Sequence, residues 1–258
     1  MGLTFVKTAG DDPGEVAGLS NRIIHAARYG SSVLRGLWPQ TCFVCGERAG
    51  RQPLCPACAA QVRALPAPGC PCCALPMPVA GVLCGRCQRR PPHFDATHAP
   101  FIYSHPLREM VLALKHGQGF GLTGWMVQAL AGAGRGVAAD CLLPMPLHRR
   151  RLAERGFNQA MELARGLGRE LGLPVRAQVL LRDVDTRQLA GLRQRERRRC
   201  VRGAFRCVAD LSGLHVLVVD DVMTSGATLD EVARSLKQAG AARVTNLVLA
   251  RTLRERPD

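Results

Sequence analysis

From Phe94 onward, continuous apolar runs alternate with apolar residues at helical spacing, and this alternation predicts strands separated by helices. The predicted strands are 97–103, 139–143, 175–181, 215–219 and 244–250. The predicted helices are 107–115, 122–131, 158–171 and one that begins at Thr228. Because strands and helices that alternate in this way build parallel sheets covered by helices, the pattern predicts an α/β domain.

The part of the chain before Phe94 has a different pattern. Residues 38–91 are rich in Cys, Pro and Gly and contain few long apolar runs, which predicts a small module held together by metal. Residues 15–37 have one broad apolar face and one basic face, so they predict a helix that docks on its own protein rather than on a membrane. The predicted organisation is an N-terminal segment at 1–37, a Cys-rich module at 38–91 and an α/β domain at 92–258.

Four C-x-x-C knuckles carry the metal prediction. The eight cysteines are Cys42, Cys45, Cys55, Cys58, Cys70, Cys73, Cys84 and Cys87. Each knuckle presents two thiolates to one ion, so we predict two structural Zn²⁺ ions in Cys₄ sites, with an iron–sulfur cluster or redox pairs as alternatives. Pairing of consecutive knuckles is expected, but interleaved pairing and a role for the adjacent Cys72 stay open. Chelation is expected to unfold 38–91 and to spare the α/β domain.

A buried strand at 215–219 leads into two carboxylates, a short polar loop and an amphipathic helix. The carboxylates, Asp220 and Asp221, are expected at the carboxyl end of the strand, where open α/β sheets bind ligands. The loop consists of Thr224, Ser225, Gly226, Ala227 and Thr228. Its amides, its hydroxyls and the positive end of the helix dipole suit a phosphoryl group, while the carboxylates suit vicinal sugar hydroxyls. The pattern therefore predicts a site for a phosphorylated sugar.

A second polar loop follows the predicted strand at 139–143. Its residues are Pro144, Met145, Pro146, Leu147 and, after His148, Arg149. A rigid Pro-x-Pro turn followed by arginines could hold a pyrophosphate group. Lys115, at the end of a predicted helix, either touches a phosphate or is solvated.

Composition restricts the choice of partners and compartment. The formal net charge is +15, and residues 148–206 contain 16 Arg against 6 acidic residues, which suits a polyphosphate ligand or nucleic acid. Aromatic residues make up only 4% of the chain, so an extended platform for stacking bases is not expected. Neither a secretory signal nor a transmembrane segment is apparent, and twelve cysteines without an export signal favour metal ligands in a reducing cytoplasm.

These motifs together resemble a known family. The run at 220–228 resembles the PRPP-binding motif of type I phosphoribosyltransferases, where PRPP is 5-phosphoribosyl 1-pyrophosphate. With the four knuckles, Leu114-Lys115, P-x-P-L at 144–147, R-G-F-N-Q at 155–159 and V-R-G-A-F at 201–205, the chain resembles the ComF/GntX family from about residue 39 to residue 253. This family consists of competence-associated, phosphoribosyltransferase-like proteins.

The resemblance implies a type I phosphoribosyltransferase-like parallel-sheet domain behind a double zinc ribbon. Asp220 and Asp221 would contact the ribose hydroxyls, 224–228 would hold the 5-phosphate, 144–149 would be the pyrophosphate loop, and Mg²⁺ would accompany PRPP. Residues 183–199 would form a flexible lid. The family is linked to natural transformation, so the implied partners are PRPP, single-stranded DNA and competence proteins.

Two departures from the family pattern fall where chemistry would be controlled. The lid has Thr186-Arg187-Gln188-Leu189 where relatives commonly have T-x-x-Q, and Cys200 replaces an Asn before V-R-G-A-F. They weaken a catalytic role more than a binding role. We therefore expect a PRPP-binding protein acting in DNA uptake, with uncertain transferase activity and an unassigned catalytic residue. The alternative is a non-catalytic single-stranded nucleic-acid-binding factor that keeps the phosphoribosyl site as a sensor or structural element.

Overall fold

The computed structural model describes residues 40–185 and 199–253. Its strands are β1 (Gln40–Thr41), β2 (Arg48–Gly50), β3 (Ala96–His98), β4 (Phe101–Ile102), β5 (Cys141–Pro144), β6 (Leu180–Arg182), β7 (Phe205–Cys207), β8 (His215–Met223) and β9 (Arg243–Arg251). Its helices are α1 (Pro56–Ala60), α2 (Gly85–Arg89), α3 (Leu107–Lys115), α4 (Thr123–Gly134), α5 (Arg149–Arg155), α6 (Gln159–Leu171) and α7 (Ala227–Gln238), with a 3₁₀ turn at Phe120–Leu122.

A five-stranded parallel sheet forms the centre of the described structure. Strand β9 pairs with β8 on one side and with both β3 and β4 on the other, and β5 pairs with the far side of β8. The two longest strands, β8 and β9, stay in register from His215 and Arg243 to Met223 and Arg251. The predicted α/β class with a parallel sheet is therefore confirmed.

Helices cover both faces of this sheet because the side chains of β8 alternate. Val216 and Val218 lie in one apolar core with α7, and Leu217 and Val219 lie in a second core with α3, α4 and α6. All four side chains are fully buried. A strand that is apolar on both faces needs this arrangement, which explains the continuous hydrophobic run in the sequence.

The Cys-rich module lies across the edge of the sheet formed by β4. Between its two pairs of knuckles, Ala64 forms an antiparallel bridge with Phe101, and the backbone N–H of Ile102 donates to Arg63 O. Three of the first four metal-type cysteines, Cys42, Cys55 and Cys58, belong to the core with α3 and α4, and the last four belong to the core with α7. The module therefore contributes to both cores of the α/β domain, and it also covers a strand edge.

The predicted element bounds differ from the structure mainly where backbone pairing is interrupted or prolonged. The predicted strand at 97–103 is divided at Pro100, which has no N–H to donate. Of the predicted strand at 175–181, Val175 makes one bridge to Leu142, and β6 begins only at Leu180. The short helices α1, α2 and α5 and the antiparallel pair β6–β7 were not predicted.

Two predictions concern residues that the structure does not describe. The helix at 15–37 and the lid residues 186–198, including the altered Thr186–Leu189 run, lie outside the described residues. Within the described ranges, no helix has the length and hydropathy needed to cross a bilayer.

Candidate functional site

Both predicted metal clusters are assembled from consecutive knuckles. Cluster I consists of Cys42, Cys45, Cys55 and Cys58, and cluster II consists of Cys70, Cys73, Cys84 and Cys87. Within each cluster all four Sγ atoms lie within 4.8 Å of one another. A tetrahedral Zn²⁺ with Zn–S bonds near 2.3 Å requires sulfurs about 3.8 Å apart. The Sγ atoms of Cys45 and Cys55 are 3.7 Å apart and those of Cys73 and Cys84 are 3.6 Å apart, so the ligands fit zinc and consecutive pairing is confirmed.

Cys72 lies beside cluster II but is not one of its four gathered ligands. Its thiol donates instead to the backbone carbonyl of Phe94, over 3.6 Å. Phe94 begins the α/β part of the chain, so this contact belongs to the packing of the module against the sheet. The expectation that Cys73, rather than Cys72, completes the cluster is confirmed.

The acidic pair lies within β8 rather than after it. Pairing with β9 continues through Val222 and Met223, so the strand is four residues longer than predicted. Asp220 and Asp221 consequently point to opposite faces of the strand. Both lie near its carboxyl end, where the sequence predicted a ligand site.

Asp221 is buried and forms an ion pair with Lys115 at the end of α3. Burial alone would lower the pKa of Lys115, but the charge of Asp221 and the bond to it raise that pKa above its usual value. Burial raises the pKa of Asp220 well above its usual range, and the charge of Asp221 beside it raises that pKa further. The carboxyl group of Asp220 therefore favours its neutral form more than an exposed aspartate does, and a cation bound beside it would oppose that shift.

Several cationic side chains lie close to the acidic pair. A cavity of about 330 Å³ is lined by Lys115, His116, Arg151, Glu154 and Arg155. Burial lowers the pKa of Arg155, and repulsion from Arg151 lowers it further. Like charges at this i,i+4 spacing oppose each other on a helix, so an anion in the cavity would relieve the repulsion. Arg182 is close enough to interact with Asp220 and adds to the positive charge around the pair.

The predicted phosphate loop connects β8 to α7. Gly226 is the N-cap of α7 and has φ +77°, the left-handed conformation that favours glycine. A Cβ at this position would lie 2.6 Å from Cε of Met223. Thr224 is exposed and Ser225 and Thr228 are half-buried, so three hydroxyls accompany the amides of the first helical turn. These amides lack intrahelical acceptors, as an anion site at a helix start requires.

The second polar loop starts beside the acidic pair. Pro144 ends β5, and the N–H of Met145 donates to Val219 O over 2.8 Å, immediately before Asp220 in β8. The side-chain amide of Asn158 donates to Met145 O over 3.0 Å, and its oxygen accepts from Ala160 N at the start of α6. Asn158 thus ties the 144–149 segment to a helix. Arg149 is the first residue of α5, and a cavity of about 860 Å³ lies along the segment and reaches Arg182.

The candidate residues therefore meet at one edge of the sheet. The acidic pair, the 224–228 loop and the 144–149 segment all leave the carboxyl ends of adjacent strands β8 and β5. Sequence reasoning missed Arg182 as part of this region. It also missed Arg86, which donates to the carbonyl of Ser225, and Arg251, which donates to the carbonyls of Met223 and Thr224. The only local signal was the excess of arginine, because their partners lie far away in the chain.

Family models match both parts of the chain. A model described as "Double zinc ribbon domain" matches residues 33–88, and one described as "Phosphoribosyl transferase domain" matches residues 152–258. Together with the parallel sheet and the two Cys₄ clusters, they establish a phosphoribosyltransferase-like domain behind a Cys-rich zinc-ribbon module. The first model and the cluster geometry also support structural zinc.

Whole-chain relatives carry names connected with DNA. The chain is 34% identical to "DNA utilization protein YhgH" of Salmonella typhimurium over 229 residues, covering 83% of this chain and 98% of the relative. It is 27% identical to "Competence protein F" of Haemophilus influenzae, covering 77% and 90%. A solved purine phosphoribosyltransferase from Pyrococcus horikoshii matches at 20% identity and a TM-score of 0.34, covering 49% of this chain and 70% of the other.

Proposed function

The chain belongs to the ComF/GntX family, and from this premise we propose that it binds PRPP together with Mg²⁺ and acts in the handling of DNA. The 224–228 loop would hold the 5-phosphate through its amides and hydroxyls. Asp220 and Asp221 would accept hydrogen bonds from the vicinal ribose hydroxyls. The 144–149 segment would hold the pyrophosphate, with Arg149 at the start of α5 supplying charge.

The donor set of the acidic pair suits Mg²⁺. Hard divalent cations prefer carboxylate and phosphate oxygens, and Mg²⁺ is commonly held by one or two carboxylates and the phosphates of a substrate. Asp220 would gain a cationic partner, which would offset the burial that raises its pKa. When bound, the ion would neutralise part of the charge of the pyrophosphate group. The residues present therefore fit the ion, and we include it in the proposed complex.

The cations around the pair suit a ligand that carries several negative charges. Lys115, Arg151 and Arg155 line a cavity beside Asp221, and each would stabilise a pyrophosphate or an anionic acceptor there. In a transferase the bond from ribose C1 to the pyrophosphate oxygen breaks, so negative charge grows on the leaving group. Cations already in place would stabilise that charge. We assign no catalytic base.

The names of the relatives support a role in DNA uptake and natural transformation. The positive charge of residues 148–206 is consistent with phosphate contacts to single-stranded DNA, and other competence proteins are further proposed partners. We propose a cytoplasmic location, because eight thiolates in two metal clusters are best preserved in a reducing compartment. We also propose that the chain is divided into an N-terminal segment at 1–37, a Cys-rich module at 38–91 and an α/β domain at 92–258.

One observation supports the PRPP proposal above all. The strand that contains the acidic pair, β8, is joined to α7 by a single short loop, and in this loop Gly226, in the left-handed conformation, is the N-cap of the helix. Isothermal titration with PRPP and Mg²⁺ tests it on the zinc-loaded protein. We expect Asp221→Asn to weaken binding by roughly tenfold or more, because a hydrogen bond to a charged group contributes about 1.5–3 kcal/mol. The exposed Asp210 provides the matched control, and Asp210→Asn should leave the affinity unchanged.

Two outcomes would contradict this assignment: no PRPP binding by the parent protein, or equal affinities for the parent and Asp221→Asn. A further assay separates catalysis from binding. The protein would be incubated with PRPP and a pool of bases, amines and oligonucleotides while pyrophosphate is measured. Release of pyrophosphate would identify a transferase. Intact PRPP binding without release would favour the non-catalytic nucleic-acid factor.

A further inference from the structure

Cluster II is bonded directly to the back of the phosphate loop. Arg86 lies between two of its ligands, Cys84 and Cys87, in the short helix α2. Its guanidinium is half-buried, and Nη1 donates to the carbonyl oxygen of Ser225 over 2.7 Å. Because Arg86 lies inside a knuckle, a metal ion in cluster II would fix its position relative to the loop.

A second arginine makes a parallel connection from the end of β9. The side chain of Arg251 is buried, and its Nε donates to the carbonyl of Cys73, a cluster II residue, over 3.0 Å. Its Nη1 donates to Met223 O over 3.0 Å and also to Thr224 O. One guanidinium therefore joins the backbone of cluster II to the first residues of the loop.

These bonds fix the direction of three consecutive peptide units. The carbonyls of Met223, Thr224 and Ser225 all accept hydrogen bonds from the two arginines. In a trans peptide the N–H points opposite to its own C=O, and these peptides are trans. The amides that follow the three carbonyls, those of residues 224–226, therefore face away from the arginines. Successive amides that face the same side can together hold an anion.

The linker between the module and the sheet supports the same surface. Phe94 lies behind Gly226, with its ring 3.8 Å from where a Cβ would be. His93 donates its N–H to the carboxylate of Asp230, in the first turn of α7, over 2.8 Å. Within residues 40–185 and 199–253, no hydrogen bond joins the knuckles of cluster I to 223–228. The two clusters thus differ in their access to the loop.

We propose that Arg86 and Arg251 are positioning residues for the phosphate loop, and that cluster II, through them, sets the affinity of the loop for a sugar 5-phosphate. This proposal rests on the proposed function, because it concerns the same loop. It predicts that removing the hydrogen bonds of Arg86 or Arg251 weakens binding of the 5-phosphate group and leaves pyrophosphate binding by the 144–149 segment unchanged. A general loss of folding would weaken both.

The test compares two arginines of α2 in the zinc-loaded protein. Arg86→Met keeps the apolar stem and removes the donor, and Arg89→Met changes an exposed arginine three residues later in the same helix. Titrations would use PRPP with Mg²⁺, ribose 5-phosphate and pyrophosphate. We expect Arg86→Met to weaken the first two by about tenfold and pyrophosphate by less than about twofold. Arg89→Met should change none of them, and Arg86→Lys should recover part of the loss.

A second measurement needs no ligand. Hydrogen exchange of the amides in 223–228 should be faster in Arg86→Met than in Arg89→Met, with the zinc content of both unchanged. Equal exchange, or equal affinities for ribose 5-phosphate in the two variants, would overturn the coupling. If the parent protein does not bind PRPP, the proposed function fails, and the exchange rates still decide whether cluster II orders the loop.

Discussion

The two Cys₄ clusters are built from the same knuckles but are attached to different parts of the α/β domain. Cluster I packs with α3 and α4 in one core, and cluster II packs with α7 in the other. Each has a short helix that begins at one of its ligands, Cys55 for α1 and Cys84 for α2. The similarity is therefore local, and the difference comes from the face of the sheet that each cluster contacts.

This difference changes what each cluster can influence. Cluster I lies near the helix that ends at Lys115, so its effect on the acidic pair passes through apolar packing. Cluster II is joined by hydrogen bonds to Met223, Thr224 and Ser225. Apolar packing is non-directional, whereas hydrogen bonds fix orientation. A metal site of structural type can thus act on a distant ligand site when arginines connect the two.

The largest expected effect comes from removing one ligand from each cluster. Cys84→Ser and Cys55→Ser are matched, because both cysteines are buried N-caps of five-residue helices. We expect the zinc content, measured by elemental analysis, to fall from two ions per chain to one in each variant. Affinity for ribose 5-phosphate should fall by more than about tenfold in Cys84→Ser and by less than about threefold in Cys55→Ser.

Equal losses of affinity in these two variants would remove the distinction between the clusters. The sequence alone predicts that chelation unfolds 38–91 and leaves the α/β domain intact. The contacts of Arg251 and the shared cores predict instead that loss of cluster II also disturbs the loop. Circular dichroism of both variants should still show the helices of the α/β domain.

A smaller effect is expected from the arginines at the two ends of β9. Arg251 is buried and bonded to several carbonyls, while Arg243 is exposed. Arg251→Met should lower the free energy of unfolding by about 2–4 kcal/mol, because buried carbonyls lose their donors. Arg243→Met should change it by less than about 0.5 kcal/mol. Urea denaturation of the zinc-loaded proteins measures both changes in the free energy of unfolding. If Arg251→Met lost as little stability as Arg243→Met, the hydrogen bonds of Arg251 would add little to the link with cluster II.

Local patterns predicted the elements that bury one face or stripe. Helix α3 begins and ends as predicted, because Leu107, Met110, Val111 and Leu114 recur at helical spacing and are all buried. Helix α6 matches to one residue, with Asn158 as N-cap and Gly172 as the left-handed C-cap. The knuckle spacing likewise predicted the eight metal-type cysteines.

Contacts between distant residues could not be predicted from such patterns. Lys115 has the same local context whether it is solvated or paired, and only the fold brings it to Asp221. Arg251 resembles any charged residue at the end of a strand, yet it reaches Cys73, 178 positions away. The length of β8 was underestimated because two carboxylates usually end a strand, whereas here pairing with β9 continues past them.

The smallest expected effect concerns the acidic pair when both clusters are intact. Burial and the charge of Asp221 raise the pKa of Asp220 in the folded protein well above its usual 3.8. A carboxyl group with a raised native pKa stabilises the fold at low pH and loses that contribution as pH rises from the unfolded value through the native one. Asp220→Asn stays neutral throughout, so the variant should melt a few degrees above the parent at about pH 8, with a smaller difference at about pH 6.

Asp221→Asn is the matched control, because it removes the partner of Lys115 instead of an unfavourable charge. It should melt below the parent at neutral pH, since the half-buried ammonium group of Lys115 loses its ion pair. Melting without ligand between about pH 6 and pH 8.5 keeps the zinc thiolates ionised and isolates the carboxyl groups. If Asp220→Asn were also less stable than the parent at pH 8, Asp220 would already be a stabilised carboxylate. The site would then not depend on an incoming cation, and cluster II would be the main influence on ligand affinity.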